Sequence, residues 1–219
     1  MSRIALPGRL SPESLDTLLD ALRGAEGVRV LVGSESGFCQ GMDLAAKGDV
    51  EAAFTRFAEV LGAIRQAPTI AFVDGDARGG GVGLAAACDV VLATSRARFT
   101  LTEVLFGLVP GAILPALRER MTAQKVRRLA LTGLAADAEE ALRIGLADEI
   151  VDDEGGIRPW ARALGRAEPG ASAVLRDLLD DGFAAAVVRG GQATRDCLDG
   201  EASQRRIAAF LDGGVPWSA

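Results

Sequence analysis

The stretch APTIAFVDGDARGGGVGLAAACDVVLAT, residues 67–94, decides the fold. Pro68 stops whatever helix precedes it. Thr69–Val73 is an apolar, β-rich run closed by Asp74-Gly75, which predicts a strand and then a turn. Arg78-Gly79-Gly80-Gly81 leads into Val82–Ala87, whose apolar character suits a buried helix. Asp89–Ala93 is a second apolar strand. A strand, a helix and a strand within so short a span predict an α/β core with parallel pairing.

The pattern extends in both directions. Upstream, Ser11-Pro12-Glu13 is a helix start, with a capping serine, a proline at the first helical position and an early acid. Leu15, Leu18, Leu19 and Leu22 then recur at helical spacing, and Gly24 and Gly27 end the helix. Val28–Val32 follows as a short strand. Phe54, Phe57, Ala58 and Leu61 mark a further helical stripe. Downstream, Phe99-Thr100 suggests a short strand. Helices are expected near 112–120, 122–132 and 137–144, a strand near Asp148–Val151, and two or three helices after Pro159, with breaks at Pro169-Gly170 and Gly190-Gly191. The expected organisation is an α/β core over residues 1–155 and a helical region over 156–219, within one structural unit.

Composition narrows the chemistry. The 219 residues include no His and no Tyr, which excludes a Ser-His-Asp triad, a Cys-His pair and a histidine-ligated zinc site. Proton transfer must fall to Asp, Glu, Lys, Cys or water. The net charge of −6 argues against a nucleic-acid partner. Cys39, Cys88 and Cys197 are odd in number, far apart and outside any CxxC, so neither a disulfide framework nor a metal ribbon is expected. Reduced thiols, an N-terminus without an apolar signal core and no run of membrane-spanning length predict a soluble cytoplasmic chain.

Three segments could carry chemistry. Ser36–Leu44 (SGFCQGMDL) leaves the end of a strand, where open α/β folds bind ligands. Gly41 lets the backbone take an unusual turn there, so that the Met42 amide can face a cavity. Gly79-Gly80-Gly81 opens a helix and leaves N–H groups uncovered at its positive end, suited to an anion or a developing oxyanion. It is neither a P-loop nor a dinucleotide fingerprint, because the following residues and the spacing differ. Glu103 is a lone carboxylate in FTLTEVLFGL; buried and unpaired it would serve as a general base or acid, and otherwise it is a helix-start acid capped by Thr102. Asp43 is read as a helix cap and Asp89 as a turn carboxylate, while Cys39 and Cys88 are read as core. Arg118, Arg120, Lys125, Arg127 and Arg128 form a basic stretch, read as a solvated helix face, a subunit contact or a dock for an acidic carrier protein.

Taken together, SGFCQGMDL, residues 67–94, ARFTLTEVLFGLVPGAILPAL (97–117) and LTGLAADAEEALRIGLADEIV (131–151) resemble the enoyl-CoA hydratase/isomerase, or crotonase, superfamily. The resemblance implies a crotonase-like ββα spiral core with a C-terminal helical region, and homotrimers that can pair into hexamers. It implies an oxyanion hole formed by the backbone N–H groups of Met42 and Gly80, holding the carbonyl of a CoA or acyl-carrier-protein thioester. Gln40, Gly41, Gly79, Gly81 and Lys47 are the accompanying substrate-binding residues, Glu103 is the catalytic proton shuttle, and no cofactor or metal is required.

Departures from the family pattern refine the expectation. Hydratases of the family hold water between two glutamates; the first falls at Gly83 in this chain, and the second is Glu103. One carboxylate suits double-bond isomerisation better than hydration. The stretch from Glu103 to Leu117 also resembles crotonase-like enzymes of polyketide biosynthesis. Decarboxylation of a carrier-bound glutaconyl-type thioester is therefore the first alternative, with hydration or dehydration next. A catalytically silent partner of an active homologue is the alternative from outside the enzymes.

Overall fold

A computed structural model describes residues 1–34, 36–43 and 50–218. Strand β1 (Ser2–Ala5) precedes helix α1 (Pro12–Gly24) and strand β2 (Arg29–Val32). Then come α2 (Val50–Ile64), β3 (Thr69–Val73), β4 (Asp76–Arg78), α3 (Gly80–Ala86), β5 (Val90–Ala93) and β6 (Arg98–Thr100). The rest is α4 (Leu114–Arg120), α5 (Ala123–Thr132), β7 (Ala136–Asp137), α6 (Ala138–Ile144), β8 (Glu149–Ile150), α7 (Ile157–Leu164), α8 (Pro169–Leu178), α9 (Phe183–Leu198) and α10 (Glu201–Leu211). Short 3₁₀ turns lie at Glu103–Phe106, Gly111–Ile113, Glu154–Gly156 and Pro216–Ser218.

Five strands form one parallel sheet in the order β1-β2-β3-β5-β8, and β4-β6-β7 form a smaller sheet. Successive passes of the chain feed one strand to each sheet and then a helix: β3, β4 and α3 make one such pass. An earlier one runs from β2 to Cys39, which bridges Ala77 of the small sheet, and on to α2. This is the expected ββα spiral. Alternation along the strands buries both faces of the large sheet. Leu31, Ala71, Val73, Val91 and Ala93 face α1, α2 and α3, while Val30, Val32, Ile70, Phe72, Val90 and Leu92 form a second core beneath Ile157 and Trp160 of α7.

The leucine stripe of α1 is buried as predicted, and Ser11 closes a capping box with Ser14. Two expectations need correction. β1 was missed, and it pairs with β2 from Ser2↔Arg29 to Ala5↔Val32. The break expected at Gly190-Gly191 is absent: α9 runs through it. A Cβ on Gly190 would stand 2.0 Å from the Gly111 carbonyl oxygen, so the glycine serves close approach and not termination. Thr194, one turn on, donates to the Val109 carbonyl (2.9 Å) and accepts from Gly111 N–H (3.2 Å). The basic stretch is divided: Arg118 and Arg127 are exposed, as a solvated face requires, and two other members are paired. Arg120 is spent on the carbonyls of Ala86 and Cys88 and on Asp148, and Arg128 pairs with Glu140. Asp89 does more than shape a turn, since it receives Thr69 N–H and both ends of the Arg176 guanidinium. No helix among the described residues is long and apolar enough to cross a membrane.

Candidate active site

The chain crossing that builds the site follows from glycine. Cys39 N–H donates to the Asp76 carbonyl (3.2 Å) and Arg78 N–H to the Cys39 carbonyl (2.9 Å), which lays the Cys39–Met42 segment along β4 and the start of α3. Gly41 has φ +79°, and a Cβ on it would meet the Arg78 oxygen at 2.7 Å and Gly80 N at 3.2 Å. Only glycine lets these two backbones touch. On its other side the segment is fixed by Leu10 N–H to the Gly41 carbonyl (2.8 Å) and Asp43 N–H to the Leu10 carbonyl (2.9 Å). That parallel bridge turns the Met42 N–H away from residue 10.

Gly80 is the first residue of α3, and its N–H has no intrahelical acceptor. Neither the Met42 nor the Gly80 N–H donates to an acceptor among the described residues. Both residues line a cavity of about 600 Å³. Its wall is mostly apolar, from Leu10, Phe54, Phe57, Leu105, Phe106, Leu108, Ile113, Ile207, Phe210 and Trp217.

Glu103 begins a single 3₁₀ turn beside them. A Cβ on Gly79 would lie 3.0 Å from its Oε1, so the glycine also makes room for the carboxylate. The residue keeps a partial opening, yet Oε2 is cut off from water and has no hydrogen-bond partner. Burial pushes the carboxyl up to about 7, against the weaker downward pull of the backbone N–H groups of Glu103 and Thr102. Glu103 does stand at the start of the turn with Thr102 at its N-cap position, but the Thr102 side chain makes no capping bond.

Of the other expected site residues, Gln40, Gly41 and Gly79 line the cavity, and Gln40 Nε2 is tied to the Ser36 carbonyl (3.2 Å). Gly81 is a correction: it lies off the wall, because its Cβ position is 2.2 Å from the Cys39 carbonyl oxygen, and its role is to let the two chains cross. Lys47 lies outside the described residues. Asp43 borders the cavity just after the Leu10–Met42 bridge, and a helix that it would cap falls on residues 44–49, outside the described residues. Cys39 and Cys88 are buried, and burial lifts both thiols, Cys39 to about 11.

Sequence reasoning missed Ile113. A side chain on Gly83 would meet Ile113 Cγ2 at 2.1 Å and Cβ at 2.7 Å. The space where a second carboxylate would project is therefore filled by hydrocarbon. It also missed Phe210 and Trp217, which come from a helix and turn distant in sequence and carry no local signal.

A ββα spiral that sets three helix-opening glycines beside a carboxylate-bearing turn is the crotonase-like fold. The comparisons agree: the enoyl-CoA hydratase/isomerase family model matches residues 5–208, and the chain belongs to that family. A probable enoyl-CoA hydratase of Rhizobium meliloti is 36% identical over 166 residues, covering 72% of this chain and 63% of the relative. One from Mycobacterium bovis is 30% identical over 210 residues, covering 87% and 79%. The matched part spans 53% to 63% of the length of the first three curated relatives. The crystal structure of an enoyl-CoA hydratase from Mycobacterium avium superposes with a TM-score of 0.86 at 29% identity, covering 99% of this chain and 93% of that one. A polyketide biosynthesis enoyl-CoA hydratase from Bacillus subtilis shares the fold, with a TM-score of 0.85 at 24% identity over 97% and 94%.

Proposed function

We propose that the protein isomerises an enoyl thioester, carried by CoA or by an acyl carrier protein. The observation that carries this reading is a buried carboxylate oxygen, Glu103 Oε2, beside a mostly apolar cavity onto which the Met42 and Gly80 N–H groups open, none of the three with a hydrogen-bond partner among the described residues. Ionised Glu103 removes a proton from C2 of a 3-enoyl thioester. The electrons move onto the thioester oxygen, held by the Met42 and Gly80 N–H groups. The protonated carboxyl then returns the proton at C4, giving the conjugated 2-enoyl thioester. A carboxyl near 7 suits both steps at neutral pH. The atoms balance with the thioester and Glu103 alone.

Hydration needs a water fixed by a second acceptor, and Ile113 occupies that place. It stays the second reading because the relatives are named hydratases. A glutaconyl-type decarboxylation needs a cation for the distal carboxylate. Among the described residues the cations on the wall are exposed Arg9 and Arg78, the latter paired with Asp76 at 2.7 Å. The setting in polyketide metabolism belongs to the same proposal and rests on the resemblance over Glu103–Leu117.

The test is mass spectrometry of pantetheine, CoA and carrier-bound thioesters incubated in heavy water. Deuterium uptake by a 3-enoyl substrate with no other mass change is expected. Gain of water by a 2-enoyl substrate would replace isomerisation with hydration, and loss of carbon dioxide would replace it with decarboxylation. No change on any substrate would leave the silent-partner reading. The homotrimer or hexamer is a further proposal. Val174, Leu175, Leu178 and Leu179 on and just after α8 are exposed apolar side chains that a second copy would cover. Light scattering should give three or six copies, and a stable monomer would overturn it.

A further inference from the structure

Among the described residues no partner holds Glu103 Oε2, and the groups that act on the carboxyl are the backbone N–H groups of Thr102 and Glu103, so the carboxylate is placed by its own backbone. That backbone is one 3₁₀ turn, a conformation with poor hydrogen-bond geometry that seldom stands alone. Within it, the Glu103 carbonyl accepts from Leu108 N–H (2.9 Å) and the Val104 carbonyl from Gly107 N–H (3.0 Å). The carbonyls of Leu105 and Gly107 are taken by α10. Arg206 Nη1 donates to the first (2.8 Å) and Ser203 Oγ to the second (2.9 Å). Ser203 is 2% exposed and lies flat on Gly107, whose φ of +76° ends the turn; a Cβ there would stand 2.7 Å from the serine oxygen. One turn further along α10, Phe210 meets the Phe106 ring edge-on, with centroids 5.1 Å apart. Residues 203, 206 and 210 lie on one helix face.

From this clamp we infer that Ser203 and Arg206 are positioning residues, through which α10 fixes the turn that aims Glu103 at the Met42 and Gly80 donors. The inference rests on the reading of Glu103 as the proton shuttle. Neither Ser203 nor Arg206 lines the cavity, so neither contacts substrate directly. Their effect must pass through the backbone. A misplacement of about 1 Å at the reacting group can cost on the order of 10²-fold in rate.

The experiment compares Ser203→Ala, Arg206→Gln and Arg206→Lys with the parent chain on a 3-enoyl pantetheine thioester. Alongside it, ¹³C-glutamate NMR follows the titration of Glu103. The expected result is a kcat at least about tenfold lower in the Ala and Gln variants, with KM within about twofold. Their Glu103 midpoint should move down toward the ordinary carboxylate range as the turn loosens and water enters. Arg206→Lys, which keeps a donor, should recover most of kcat. Unchanged kcat and midpoint in Ser203→Ala overturn the inference, as does a loss confined to KM. If Arg206→Gln does not fold, Ser203→Ala, which removes a single oxygen, decides. Failure of the lysine to rescue overturns the part given to Arg206. Glu103→Gln is the control: if that variant is as active as the parent, the reading of Glu103 falls, whereas if it is inactive and the α10 variants are not, only the clamp falls.

Discussion

Glu103→Gln is expected to lower turnover about 10³-fold while making the fold more stable at pH 8. The amide keeps the shape of the side chain and the oxygen beside Gly79, but it cannot take up a proton. General-base catalysis is worth about 10²- to 10⁴-fold, and here the single group serves both proton transfers. The stability arm follows from burial. The Glu103 carboxyl titrates near 7 in the folded chain, against an ordinary 4.5. Between those values the native state holds a proton that the unfolded chain has lost, so stability falls as pH rises through that window. Above about pH 7 the full cost of the buried charge is present, on the order of 3 kcal/mol. Glutamine removes that cost but buries an amide with few partners, which returns about 1 kcal/mol. The net gain is then about 2 kcal/mol at pH 8 and turns into a loss of about 1 kcal/mol at pH 4, where the carboxyl is mostly protonated in both states. Denaturant melts at the two pH values check it. In the parent chain, kcat/KM should climb through pH 7. A variant that turns over normally, or shows no pH-dependent gain in stability, would remove Glu103 from the mechanism. A residue that lowers stability where it is most needed for turnover is the usual mark of a functional group.

The parts of this molecule that the sequence reveals are those whose cause is local. Thr69–Val73 is a strand to the residue, because β-branched and apolar side chains crowd between a proline and an Asp-Gly turn. The four leucines of α1 all face the core because their spacing allows nothing else. The three glycines of residues 79–81 are legible as a break, but not in their separate duties. One clears space for a carboxylate, one offers an amide and one lets Cys39 cross. β1 is hidden because four residues, two of them Ser and Arg, show little pattern without β2 beside them. Gly190-Gly191 misleads because the same residue type that ends helices also permits close approach, and only the Gly111 backbone tells which applies. The clamp of α10 on the Glu103 turn pairs residues about a hundred positions apart, at a distance no periodicity reports.

The Gly83→Glu variant should lose at least about 3 kcal/mol of stability, and adding Ile113→Gly, which removes both the Cγ2 and the Cβ in its way, should restore part of it. Glutamate is the better helix former, by about 1 kcal/mol, so propensity alone favours the change. Sterics decide otherwise. The new Cβ would sit 2.1 Å from Ile113 Cγ2, and the Gly111–Ile113 turn cannot simply retreat, because Thr194 and the Gly111–Gly190 contact hold it to α9. Overpacking of this kind costs about 1–3 kcal/mol, and an unpaired carboxylate forced into hydrocarbon adds a similar amount. Ile113→Gly alone opens a cavity and frees the backbone at a cost of about 3–6 kcal/mol, but in the double variant the glutamate stem refills the space. Its carboxylate then reaches the wall shared with Glu103, where two acceptors can hold a water. The double variant should gain measurable hydration of a 2-enoyl thioester, read as added water by mass, while the single variant should not. If Gly83→Glu by itself is as stable as the parent chain, Ile113 is no rigid plug. If the double variant folds and binds thioester yet adds no water, then filling position 83 is not what keeps this cavity from hydration. The contrast in reaction outcome would then have to come from how the acyl chain lies between Phe57 and Phe106, and not from the number of carboxylates.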